Sequence, residues 1–136
     1  MLFNYTRMKP AIGGSKNFLY FAGVFNFVAA LILVVLARLA PDVIGLDPVT
    51  RSQMLFVDLS AWLVVGFGIG YVLGGFDLTR FWPFIALGAV GKAGVVLLVT
   101  PYFLLGATGP LIALLVVGDG IFAFLFVRLL RAHAAH

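Results

Sequence analysis

Cysteine and glutamate are both absent from this 136-residue chain, and its five acidic residues are all aspartates. The lack of cysteine excludes disulfides, thiolate metal sites and thiol redox chemistry, and leaves the redox compartment unreadable. Histidine is nearly absent too: the pair His133 and His136 sits in the terminal tail. Their i, i+3 spacing suits a metal on a helix, but two ligands at a frayed end make a poor site, and a solvated tail is the simpler expectation. Haem ligation through paired buried histidines is excluded, and no Ser–His–Asp set or glutamate pair exists to support acid–base or nucleophilic catalysis. The expectation is therefore a protein that is not an enzyme and carries no cofactor or metal. Charge is scarce as well, at 10% of residues against about 25% in soluble domains.

What the chain has instead is apolar side chain, 63% of residues, with a mean hydropathy of +1.17. A soluble domain of this length could not hide that much, because a small fold has a large surface relative to its core. Lipid is the solvent that fits. A bilayer core about 30 Å thick needs about 20 apolar residues in a helix, and four stretches qualify: residues 17–39, 54–75, 81–100 and 111–130. Pro41-Asp42 follows the first, Pro83 falls in the opening turn of the third, Thr100-Pro101 ends it, and Gly109-Pro110 precedes the fourth; proline stops a helix or is tolerated at its start. The connections then read as a polar loop from Ala40 to Gln53, a tight turn from Phe76 to Arg80 and an uncharged loop from Pro101 to Pro110. A β-barrel does not fit, since barrel strands are short and alternate apolar with polar residues, whereas these segments are apolar on every face and only helices satisfy their own backbone in lipid over such lengths. The expected fold is all-α: one transmembrane domain over residues 1–136, a four-helix bundle of antiparallel up-down hairpins. The first segment is expected to stay as a helix, because its apolar region is too long for a cleaved signal and Arg38 and Pro41 flank the conceivable cut after Ala40.

The net charge of +4 and pI of about 9.9 would suggest nucleic acid in a soluble protein. Here the charges cluster at segment ends, so topology and lipid headgroups explain them and no nucleic-acid partner is expected. With four helices, Arg7, Lys9, Lys16, Arg80, Arg128 and Arg131 share one side, while Arg38 and Arg51 on the other are diluted by Asp42 and Asp47. The positive-inside rule places both termini in the cytoplasm, and a bacterial inner membrane is the expected location. Tyr20, Trp82 and Tyr102 fall near the interfaces, where amphipathic rings are favoured.

Two charges lie within spans. Lys92 precedes the end of the third segment by eight residues, and Asp119 follows the start of the fourth by eight, so both sit about 12 Å below the same boundary. Each costs roughly 2.5–3.5 kcal/mol at a helix centre, and antiparallel neighbours joined by a short loop would set them face to face. A Lys92–Asp119 ion pair is predicted, either as a register lock or as part of an ion or proton path. Asn26, near the middle of the first span, is expected to hydrogen-bond a neighbouring helix and to lie within reach of that pair. Asp58 lies about one turn inside the second span; it and Arg38 either snorkel to the interface or pair across the first hairpin, in a cluster with Asp42 and Arg51.

Small residues form the remaining pattern. Gly66, Gly70 and Gly74 recur every four residues, and Gly88 and Gly91 flank Lys92 together with Ala89 and Gly94. Such faces let backbones approach closely, within the bundle or at a homodimer seam. The abundant phenylalanine (14 residues) is expected to fill the outer surface and grooves. Gly88-Ala-Val-Gly91-Lys92-Ala93 superficially matches a phosphate loop, but Ala86 and Ala93 stand where the pattern needs glycine and serine or threonine.

The length, the four spans, Gly91-Lys92 in the third helix and Gly118-Asp119-Gly-Ile-Phe122-Ala123-Phe-Leu-Phe126 in the fourth resemble small four-helix bacterial membrane proteins of the DoxX-like kind. The resemblance implies the four-helix layout; some such proteins look like accessory subunits of membrane redox systems, and no functional residue carries over. The leading expectation is a small non-catalytic membrane protein that acts as an accessory or scaffold subunit, with the lipid bilayer and another membrane protein or further copies of itself as partners. The alternative is a small ion- or proton-coupled transporter built around Lys92, Asp119 and Asn26.

Overall fold

The computed structural model describes residues 13–135. They form four long helices, α1 (Gly13–Leu39), α2 (Arg51–Phe76), α3 (Leu78–Leu104) and α4 (Pro110–Ala134), with one 3₁₀ turn at Pro41–Ile44. At 25 to 27 residues each, the helices are about 37–41 Å long. Each exceeds the roughly 30 Å hydrocarbon core, and all four are apolar enough to cross a membrane. Large apolar side chains such as Phe56, Trp62, Leu97, Leu98 and Leu114 point outward, which suits a surface solvated by lipid rather than water.

α2 and α3 begin earlier than hydropathy alone suggests, because polar residues at their N-termini cap them. α2 begins at Arg51, three residues before the apolar run, because Thr50 and Gln53 form a capping box: the Thr50 hydroxyl accepts from the Gln53 N–H, and the Gln53 side chain accepts from the Thr50 N–H at 2.9 Å. Asp77 alone joins α2 to α3. Its N–H donates to the Leu73 carbonyl at 3.0 Å, closing α2, and its carboxylate accepts from the Arg80 N–H at 3.0 Å, opening α3. The expected turn from Phe76 to Arg80 is thus a single residue. Because α3 starts at Leu78, Pro83 lies in its second turn rather than its first. Pro101 does not end the helix either, which continues to Leu104. The Thr100 hydroxyl donates to the Val96 carbonyl at 2.6 Å, and side-chain bonds of this kind help membrane helices carry an internal proline. α4 opens with Gly109 as its N-cap and Pro110 in the first turn, where a missing N–H costs nothing.

The bundle is antiparallel throughout. α1 packs on α2, α2 on α3 and α3 on α4, while the α1 and α4 backbones hardly approach one another. Phenylalanine rings bridge that last gap: Phe18 stacks on Phe122 at 5.7 Å and meets Phe126 edge-on at 5.6 Å, and Phe25 lies 4.9 Å from Phe122. With Leu19, Ala22, Tyr71, Ile85 and Ala89 these rings form the core. The expectation that phenylalanine fills the outer surface is therefore part of the account; Phe21, Phe56, Phe76, Phe84, Phe103 and Phe124 do face out, but Phe18, Phe25, Phe122 and Phe126 fill the space between α1 and α4. At the opposite end from the termini, the connection after α1 seats against the α3–α4 loop. Gly109 N–H donates to the Ile44 carbonyl at 3.3 Å, and Gly45, at φ +74°, lies so close that a Cβ there would stand 2.2 Å from the Gly109 nitrogen.

Candidate functional site

Lys92 occupies the buried face of α3, and its ammonium is held by groups from three other helices. It donates to Asp119 Oδ1 of α4 and, at 2.9 Å, to Asn26 Oδ1 of α1. The Asn26 amide nitrogen in turn donates to the Val64 carbonyl of α2 at 3.0 Å. Three rings surround the same nitrogen: Phe25 and Phe122 with centroids at 5.3 Å, and Tyr71 at 5.7 Å. Rings at this range attract a cation through their quadrupoles, and more strongly once water is excluded. The Lys92 side chain is 7% exposed and that of Asp119 19%. A charge so buried persists only when it is paired and its donors are used, and each of the four helices supplies part of that requirement.

Glycines decide how closely these groups converge. Gly88, one turn before Lys92, leaves room for Tyr71; a Cβ there would meet the Tyr71 ring at 2.4 Å and its hydroxyl at 2.5 Å. On α2, Gly68 admits the Phe27 ring, which a Cβ would meet at 2.6 Å, and lies against Asn26. On α4, Gly118 makes the same allowance for Phe25, at 2.8 Å. The stripe expected at Gly66, Gly70 and Gly74 divides. Gly70 packs on Phe84 and Gly74 on Ile85, both of α3, while nothing lies within 4 Å of the place a Cβ would take on Gly66, which faces outward. The cause is helical drift. Each step of four residues overshoots a 3.6-residue turn by about 40°, so Gly66 is turned about 80° away from Gly74. Gly91 is only loosely covered, by Phe67 at 3.7 Å.

Asp58 belongs to a different place. Its carboxylate accepts from Arg38 Nη2 at 2.8 Å through both oxygens, and Arg38 Nη1 donates to the Val34 carbonyl at 3.1 Å. Both side chains are more than two-fifths exposed, so this is a surface clamp between α1 and α2, of a kind worth about 0–1 kcal/mol. With α2 starting at Arg51, Asp58 stands about two turns inside the helix rather than one. Among the described residues the ion pairs are these two, and neither Asp42 nor Arg51 takes part. No group of three or more metal-ligating side chains occurs among the described residues. Arg7, Lys9 and His136 lie outside the described residues.

The aromatic cage is what sequence reasoning missed. Part of it had a signal: Phe122 and Phe126 follow Asp119 by three and seven residues and so share its helix face. Phe25 and Tyr71 carried none, since their approach depends on Gly118 and Gly88 across helix boundaries. Compared with family models, with curated proteins and with solved structures, the chain matches none.

Proposed function

We propose that this protein is a small non-catalytic subunit that acts as an accessory or scaffold element of a membrane complex. The observation that carries this reading is the closure of the intramembrane polar groups on one another. Lys92 bonds to Asp119 and Asn26, and Asn26 to the α2 backbone, beneath three aromatic rings. An ammonium bound this way locks four helices in register, and it leaves the outward apolar faces as the part of the molecule that meets other components. The layout-level resemblance to DoxX-like proteins points the same way. The distribution of basic residues supports cytoplasmic termini in a bacterial inner membrane: Lys16, Arg80, Arg128 and Arg131 share one end of the bundle, whereas the other end carries Arg51 and an Arg38 paired with Asp58, diluted further by Asp42 and Asp47.

The test is the native mass of the complex after gentle extraction from its own membrane, with co-migrating chains identified. A reproducible partner is the expected result; a chain that runs alone would sink the proposal. The transporter alternative has one observation in its favour, the 19% of the Asp119 side chain that remains accessible. It requires that Asp119→Asn abolish substrate movement in vesicles while the protein still folds.

A further inference from the structure

At the end of the bundle that carries Lys16 and Arg80, two residues without side chains open a groove between the first three helices. Gly74 and Gly75 stand in the last turn of α2, just before the one-residue connection. The groove has a volume of about 180 Å³; Lys16 and Leu19 of α1, Gly74, Gly75 and Phe76 of α2 and Leu78 of α3 line it. Its depth follows from the sequence. The apolar run of α1 starts at Asn17 and that of α2 ends at Gly75, so the groove lies where hydrocarbon gives way to headgroups. Leu19, which is buried, marks its apolar side.

The two walls differ in electrical character. On α1, the Lys16 ammonium lies 5.8 Å from the centre of the Tyr20 ring. Tyr20 is held in turn by Phe76, edge-on at 5.5 Å, and by Gly75, where a Cβ would stand 2.5 Å from the ring. Lys16 is thereby tied to the groove, yet among the described residues it makes no hydrogen bond or ion pair. The one carboxylate at this end, Asp77, is engaged by the Arg80 N–H. The α2 wall is main chain, since a glycine can line a groove with nothing else. The last four carbonyls of a helix find no donor within it. In α2 the Leu73 carbonyl accepts from the Asp77 N–H at 3.0 Å, while among the described residues no N–H reaches the carbonyls of Gly74, Gly75 and Phe76. They form the negative pole of α2. The groove thus sets an unpaired cation beside a set of unpaired acceptors.

We propose that this groove holds the headgroup of one phospholipid that joins a phosphate to a primary ammonium group. The phosphate pairs with Lys16, and the ammonium donates its N–H groups to the carbonyls that end α2. The acyl chains then leave past Leu19 into the hydrocarbon layer. A headgroup with a phosphate and no amine would leave those carbonyls unmet and bring its negative charge to the negative pole of the helix. A quaternary ammonium would bring charge without an N–H to donate. The volume is several times the roughly 30 Å³ that one water occupies in the liquid, which suits a headgroup rather than a single bridging water. The inference does not rest on the accessory-subunit reading, and failure of either leaves the other standing.

The test uses the full chain, stripped of lipid in a non-ionic detergent, and native mass spectrometry with three lipids of identical acyl chains: phosphatidylethanolamine, phosphatidylcholine and phosphatidylglycerol. One phosphatidylethanolamine is expected to bind saturably, about tenfold more tightly than phosphatidylcholine, which lacks the N–H donors, and more tightly than phosphatidylglycerol. Lys16→Gln is expected to weaken phosphatidylethanolamine and phosphatidylcholine alike, by about three- to tenfold, and to leave the ratio between them unchanged. Arg128→Gln removes a charge from the same end but outside the groove, and is expected to change neither. Should Lys16→Gln fail to fold, the lipid selectivity of the wild type decides alone. Equal binding of phosphatidylethanolamine and phosphatidylcholine would overturn the proposal. So would a preference for phosphatidylglycerol that Arg128→Gln reduces as much as Lys16→Gln, since that result means diffuse attraction to a basic surface.

Discussion

Replacing Lys92 by methionine would take the cation out of its cage while leaving a side chain of nearly the same length. Asp119 would then hold a carboxylate 19% exposed with its cationic partner gone, and Asn26 Oδ1 would lose the donor that reaches it at 2.9 Å. Breaking a buried pair from one side costs about 3–5 kcal/mol, because the remaining charge stays desolvated. Asp119→Leu should cost a similar amount, now with the ammonium stranded among Phe25, Tyr71 and Phe122. The double variant Lys92→Met/Asp119→Leu removes both charges, and its remaining debt is the unmet Asn26 oxygen, about 1–3 kcal/mol. It should therefore be more stable than either single variant, and the double-mutant cycle should show a coupling of at least about 2 kcal/mol. The assay is reversible unfolding in mixed micelles with increasing denaturing detergent. Single variants within about 1 kcal/mol of the wild type, or a double variant as weak as the worse single one, would refute the reasoning.

Four other outcomes are expected from unfolding in the same micelles and from hydrogen exchange. Gly88→Ala should destabilise by about 1–3 kcal/mol, because its Cβ would overlap Tyr71. Gly66→Ala, at an open position, should be neutral or stabilising by up to about 1 kcal/mol, and equal losses at the two sites would contradict the assignment of helix faces. Gly45→Ala should be among the most damaging alanine substitutions at any glycine, since it combines φ +74° with a 2.2 Å approach to the Gly109 backbone; hydrogen exchange at the Gly109 amide would report the loss locally. Thr50→Ala should cost about 1 kcal/mol and speed exchange in the first turn of α2 alone.

The four helices and the depth match of Lys92 with Asp119 follow from hydropathy and the 1.5 Å rise, because lipid removes the choices a soluble chain would have. Helix ends were less legible. They depend on single polar groups such as the Thr50 hydroxyl and the Asp77 carboxylate, which an apolar run does not register, and on the Thr100 side chain beside Pro101. The glycine spacing was visible, but its orientation was not: Gly66 and Gly74 belong to one sequence pattern and to different surfaces. Least visible was the surrounding of Lys92. Asp119 could be paired by counting, whereas Tyr71 and Phe25 reach the ammonium only because glycines on neighbouring helices lack a side chain in their way.

Asp77 serves α2 and α3 at once, and this has a consequence for how the chain tolerates change in length. A connection of one residue stores no slack. One residue added or removed there would rotate α3 by about 100° and shift it by about 1.5 Å against α2, carrying Lys92 away from Asn26 and Asp119 together. Between Gly45 and Thr50 the chain runs outside any helix for several residues, and added length there can loop out without turning a span. Insertions and deletions should therefore accumulate in the connection after α1 and be purged at Asp77, so that the second and third spans evolve as one rigid piece.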